Sequence, residues 1–181
     1  MEADMVNIRG SSTTRSLELR DVVESDLELF FEFQRDADAT QMAAFTPSNP
    51  DDRKAFLAHW ERILAAPSVI TRTISCGEEV LGSVLSYEES GLPEVTYWIG
   101  RNYWGQGVAT ETLRRFLKTV DTRRPMRARV ASDHAASIRV LEKCQFKVIN
   151  ETRSFANARG TEINELEMEL AVEYTDQALS S

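Results

Sequence analysis

Two glycines one residue apart, Gly105 and Gly107, lie in the run Trp104-Gly105-Gln106-Gly107-Val108-Ala109-Thr110, between an aromatic-rich segment and a run with helical spacing. Glycines at such a junction let main chain approach a ligand closely, and the unbonded N–H groups and dipole of the helix that follows favour negative charge. A Walker phosphate loop is excluded, because Val108 and Ala109 follow Gly107 where Lys and then Ser or Thr belong. A dinucleotide fingerprint fits poorly: Thr110 stands in place of a third Gly or Ala, and no acidic strand end follows about 20 residues on. Two readings stay open on these residues alone, a pyrophosphate cradle at a helix start and a tight turn that holds nothing. Cys76 and Cys144 have no His or Cys at ligand spacing. They are expected to be reduced structural thiols, with no metal site and no disulfide framework.

The elements that must position the glycines follow from periodicity. Leu17 to Val22 alternates and predicts a first strand; Ser25 with Glu28 spells a capping box that opens the helix DLELFFEFQRD. ATQMAAFTPSN is expected to be a loop. Asn49 to Asp52 supply a cap, a first-turn proline and acids matched to a helix dipole. Phe56, Leu57, Trp60, Ile63 and Leu64 then make one apolar face of a second helix that stops near Pro67. VITRTISC and VLGSVLSYE predict a hairpin through Gly77, and Glu94 to Ile99 a further strand. Past the glycines, Val108, Ala109, Thr112, Leu113, Phe116, Leu117 and Val120 repeat at helical spacing. A strand near Arg127 to Ala131, a helix from about Ala135 to Cys144 and two closing strands complete the order β-α-α-β-β-β-α-β-α-β-β. The strand-helix-strand at 94–131 has the length of a parallel crossover, so an α/β (α+β) fold is expected. Its sheet is mixed and mostly antiparallel, with helices on both faces and ligands at the carboxyl ends of the parallel strands, after Ile99 and Ala131.

The bulk numbers set the limits. A chain of 181 residues that is 42% hydrophobic can bury one core. The expected division is a flexible segment at 1–15, one domain at 16–173 and a flexible tail at 174–181. No run of eighteen apolar residues occurs, and the first fifteen positions lack the apolar middle of a secretory signal, so a cytoplasmic protein without membrane partners is expected. A net charge of -8 argues against a nucleic-acid partner and favours amine-bearing ones.

The stretch EVTYWIGRNYWGQGVATETL, followed by HAASIRVLEKCQF, resembles the GNAT superfamily of acyl-coenzyme A dependent N-acyltransferases, in particular its RimJ/RimL-like branch. The superfamily's phosphate motif, Arg/Gln-Gly-x-Gly-x-Gly/Ala, is matched by Trp104-Gly105-Gln106-Gly107-Val108-Ala109, with tryptophan first as in the RimJ/RimL variant. The second block, Asn-x-x-Ser, Leu-Glu-Lys and Gly-Phe, is matched by His134-Ala135-Ala136-Ser137, Leu141-Glu142-Lys143 and Gln145-Phe146. The resemblance runs from about residue 16 to 172 and includes the element order.

It implies a GNAT fold and acetyl-coenzyme A as cosubstrate, its pyrophosphate on the N–H groups of residues 105–110 and its pantetheine arm along the strand ending at Ile99. Main-chain N–H near Trp98 or Ile99 would polarise the thioester carbonyl. The acyl group passes directly to a primary amine, of a protein N-terminus or a small molecule, in a ternary complex without a metal. Glu94 is the implied base, Ser137 the implied hydrogen-bond donor to the leaving sulfur, and Arg139 and Lys143 candidate phosphate contacts. His134 replaces the asparagine that commonly meets pantetheine, and Leu141 the tyrosine many relatives carry. Gln145 replaces a glycine, which suggests an altered turn. Glu111 is expected to pair along its helix with Arg114 or Arg115. Asp36, Asp38, Met42 and Phe45 could receive the amine and its substituent, while His59 and Trp60 are expected in the core. The chain is expected as a monomer or homodimer. The other reading is a GNAT-fold module that binds an acyl-coenzyme A as a sensor without turnover.

Overall fold

A computed structural model describes residues 16–171, so the proposed segments 1–15 and 174–181 lie outside the described residues. Seven strands form one sheet in the order β1-β2-β3-β4-β5-β7-β6. They are β1 (Leu17–Arg20), β2 (Ile70–Cys76), β3 (Glu79–Glu89), β4 (Leu92–Ile99), β5 (Met126–Ala131), β6 (Lys147–Ala156) and β7 (Thr161–Leu170). All neighbours are antiparallel except β4 and β5. The helices are α1 (Asp26–Arg35), α2 (Ala37–Ala43), α3 (Arg53–Ala65), α4 (Val108–Thr119) and α5 (Ala135–Lys143).

Two apolar layers sandwich the sheet. On one face α4 inserts Val108, Leu113, Phe116 and Leu117 among Leu17, Ile74, Val84, Val95 and Met126, joined by Leu141 from α5. Each fully buried side chain of this size contributes about 1.5–3 kcal/mol. On the other face Leu27, Phe30 and Phe31 of α1 meet Phe56 and Trp60 of α3 over Val80. The expected mixed sheet with helices on both faces is what forms.

The differences are local. The segment expected as a loop contains α2, because the Asp36 carboxylate accepts the Ala39 N–H at 2.9 Å and caps a seven-residue helix too short to show an apolar period. The Ser25 capping box does not form: Ser25 has helical dihedrals and no side-chain cap bond. The residue after it, Asp26, is instead buried and takes hydrogen bonds from Arg20 (2.6 and 2.7 Å), Thr73 (2.6 Å) and the Val23 N–H (3.0 Å). Asp52 alone caps α3, accepting from Ala55 N–H at 2.9 Å, with Pro50 before the helix. Leu64 lies on the exposed side of α3.

Candidate functional site

The parallel pair is joined at one step of register, Glu94 beside Arg127. Beyond it the two strands share no further register step, and their carboxyl ends, residues 96–99 and 128–131, line one cavity. The Gly100 N–H donates to Leu81 O at 2.8 Å across the β3 side. Backbone groups alternate in an antiparallel ladder, so the Ile99 N–H points away from β3 into the gap, and of the two expected donors Ile99 is the one so placed. The Ile99 carbonyl is held by the Trp104 indole N–H at 2.9 Å. β3 runs close behind: a Cβ on Gly82 would stand 1.9 Å from the Trp98 carbonyl oxygen.

The glycine stretch forms the start of α4. Gly107 is its N-cap with φ 80°, a left-handed conformation that costs other L-residues roughly 1–2 kcal/mol. The first helical hydrogen bond runs from Glu111 N–H to Gly107 O at 3.0 Å. The N–H groups of Val108, Ala109 and Thr110 therefore have no partner within the helix and present its positive end. Among the described residues, chain neighbours aside, no atom would lie within 4 Å of a Cβ on Gly105 or Gly107, so open space faces this cradle. Gln106 is turned back, its amide donating to Asn102 O at 2.8 Å. Glu111 pairs with Arg115 at 3.4 Å, as its spacing predicts.

Across the gap, His134 caps α5, its Nδ1 accepting the Ser137 N–H at 3.4 Å. Burial holds the imidazole below its usual pKa, outweighing the nearby Asp133. The Ser137 hydroxyl meets the Tyr97 hydroxyl of β4 at 2.8 Å. Burial pushes the Tyr97 phenol up to about 12, so it stays protonated at neutral pH. Sequence reasoning missed Tyr97: it looked for a phenol on α5, where Leu141 is buried in the core, and a strand tyrosine 40 residues away leaves no local pattern. Arg139 is exposed on the next turn. Gln145 adopts φ 68°, a conformation that a glycine takes without strain. Cys76 and Cys144 are buried thiols, and burial pushes Cys144 up to about 12.

The opposite face of the sheet carries Glu94, which is buried at 6% exposure. Its carboxylate accepts the Tyr87 hydroxyl at 2.6 Å and the Arg129 Nε–H at 2.9 and 3.1 Å. Burial works against the Arg129 charge, but Glu94 and Tyr87 more than offset it and hold that pKa above the usual value. Burial, with Glu94 adding to it, pushes Tyr87 up to about 12.

Asp36 and Asp38 do not stand open toward an amine, because both pair with Arg101 and Asp36 also caps α2. Met42 and Phe45 do line the cavity. Their segment is tied down by the β6–β7 turn: Arg159 donates to Gln41 O and Met42 O, Asn157 to Thr46 O, and the Ala158 N–H to Ala44 O. Trp60 is in the core as expected, whereas His59 is exposed and lines the cavity.

One cavity of about 840 Å³ joins the two faces through the gap. It is lined by Glu94, Trp98, Ile99, Trp104, Gly105, Gly107, Val108, Ala109, Thr110, His134, Ser137, Arg139 and Lys143. The expected site residues thus meet in one place, Gln106, Asp36 and Asp38 excepted. Among the described residues no group of three or more His, Cys, Asp or Glu could hold a metal ion, and no helix is long and apolar enough to cross a membrane.

The model of the acetyltransferase (GNAT) domain family matches residues 16–147, and the chain belongs to this family. An uncharacterised N-acetyltransferase of Bacillus licheniformis is 23% identical over 156 residues, covering 81% of this chain and 88% of its own. Among solved structures, Mycobacterium smegmatis RimJ in complex with CoA-disulfide superposes with a TM-score of 0.72 at 20% identity, covering 90% of this chain and 85% of that one. Spermidine N-acetyltransferase of Vibrio cholerae, in complex with CoA and spermine, gives 0.69 at 15% identity, with 84% and 95% covered. The fold of this chain is that of these acetyltransferases.

Proposed function

We propose that this protein is an acetyl-coenzyme A dependent N-acetyltransferase acting on a primary amine, of a peptide N-terminus or a small molecule. The observation that carries the proposal is a continuous cavity running from the α4 N-terminus, through the β4–β5 gap, to the face that holds Glu94. The residues present suit the cosubstrate. Unbonded amides of Val108, Ala109 and Thr110 with open space before Gly105 and Gly107 suit a pyrophosphate, and exposed Arg139 and Lys143 a further phosphate. When bound, acetyl-coenzyme A supplies an activated thioester.

In the transfer, the neutral amine nitrogen bonds to the acyl carbon, the carbon–sulfur bond breaks, the amine loses its proton and the sulfur leaves as a thiol. The Ile99 N–H is directed to receive the negative charge that develops on the carbonyl oxygen. Ser137, with the protonated Tyr97 behind it, can donate to the leaving sulfur. Glu94 is the base of this reading, acting through a chain of water from the wall of the cavity. A lysine-like amine, at pKa about 10.4, asks more of that base than an α-amine at about 7.7–8.0.

The sensor reading draws on His134 and Leu141, which depart from the family pattern. A thiol-release assay with acetyl-coenzyme A and a panel of amines separates the two readings. Release that depends on an amine supports the transferase; tight coenzyme binding without release on any amine favours the sensor.

A further inference from the structure

β7 carries a carboxylate that the reading above does not use. Glu165 is 7% exposed and lines the same cavity as Glu94 and Ser137. It accepts the Ser154 hydroxyl at 2.7 Å, and among the described residues no Lys, Arg or His pairs with it. The nearby cations are committed elsewhere: Arg129 to Glu94, Arg127 to Glu167 and Glu169, Arg159 to Asp133. A buried carboxylate with one neutral partner is costly unless a cation reaches it.

Register places Glu165 at the reacting level. Glu94 lies beside Arg127 in the parallel pair, so Trp98 and Ala131, each four residues further on, share a height. Ala131 is directly opposite Glu165 on β7, and paired residues point to the same face. Glu165 therefore stands on the Glu94 face but level with Trp98 and Ile99, about 13 Å further along the strands than Glu94. Two more groups of this cavity have no partner among the described residues: the hydroxyl of Thr46, itself 7% exposed, and the buried indole N–H of Trp98.

We infer that Glu165 is the anchor of the acceptor. Its carboxylate takes the ammonium form of the primary amine in a charge-assisted hydrogen bond, while Thr46 and Trp98 serve an oxygen or nitrogen beside it. The inference rests on the transferase reading and concerns binding, before the amine loses its proton.

Calorimetry on protein loaded with coenzyme A, which cannot transfer an acetyl group, tests it with spermine and tetra-alanine amide as probes. Wild-type protein is expected to bind at least one probe, and Glu165→Gln to bind it at least tenfold more weakly. Gln can still accept from Ser154 and carries no buried charge, so coenzyme affinity should stay the same and the melting temperature should not fall. Glu165→Asp should fall between, and Thr46→Val should weaken binding several-fold. Wild-type affinity in Glu165→Gln, or binding of neither probe by the wild type, overturns the inference. Probe binding that depends on Glu165 without thiol release on any amine would instead count against the transferase reading and leave the anchor standing.

Discussion

The Tyr97 hydroxyl on β4 lies 2.8 Å from the Ser137 hydroxyl on α5, bridging the two elements that flank the gap in the sheet. The phenol's pKa near 12 keeps its proton in place, so in the transferase reading Tyr97 donates a hydrogen bond to Ser137 while the Ser137 hydroxyl donates to the leaving sulfur. Ser137→Ala is expected to lower kcat about 10–100-fold, at the lower end of what general acids contribute. Tyr97→Phe should lower it less, and the double variant should be no worse than Ser137→Ala alone. Additive losses in steady-state kinetics would show that the two hydroxyls act separately.

Gly107→Ala tests the cradle. The substitution forces a Cβ into φ 80°, at a cost of roughly 1–2 kcal/mol, and puts a methyl group where open space faces the α4 amides. Coenzyme A affinity is expected to fall at least tenfold while the protein remains folded by circular dichroism. Undiminished affinity would place the pyrophosphate elsewhere.

His134 is expected to tie coenzyme binding to pH. Its folded pKa is depressed, chiefly by burial, so the unfolded chain binds the extra proton first. Stability from the neutral imidazole is thus fully present above the unfolded value of about 6.5 and is lost as pH falls below it. The cap on the Ser137 N–H weakens with it. Melting temperature and coenzyme affinity should both decline as pH falls from 7 toward 5, and His134→Asn should remove part of that decline, because Asn caps without titrating. His59→Asn serves as the comparison.

Arg129→Met leaves the Glu94 carboxylate with Tyr87 alone. Because 42% of the Arg129 side chain is exposed, water can partly replace it, and the expected loss is about 1 kcal/mol, the low end of the range for an orphaned buried group. Glu94→Gln should lower kcat with coenzyme affinity unchanged. Unaltered kcat in that variant would assign Glu94 to structure.

How much of this was legible in the sequence depended on range. Strong periods in α4 and in the β2–β3 hairpin fixed those elements, and two motif blocks at 104–110 and 134–146 located the cradle. α2 was missed because seven residues are too few to show a period, and its one signal, Asp36 three residues before Ala39, resembles any polar turn. The acceptor face was hidden for a different reason. Glu165, Arg129 and Glu94 sit on three strands, and only the register of β4, β5 and β7 sets them on one surface. Asp36 and Asp38 looked open because nothing local reveals that Arg101, more than sixty positions later, closes on them.

The single register step between β4 and β5 has a mechanical side. It leaves β1–β4 and β5-β7-β6 as two plates whose ladders share one step, with the Glu94–Arg129 pair as a rivet across the join on the face away from the α4 core. A cosubstrate lying in the cleft between the plates would stand in for the missing rungs of the ladder. Amide hydrogen exchange along the free edges of residues 97–99 and 129–131 should then slow when it binds, and heat should part the plates at that seam first when it leaves.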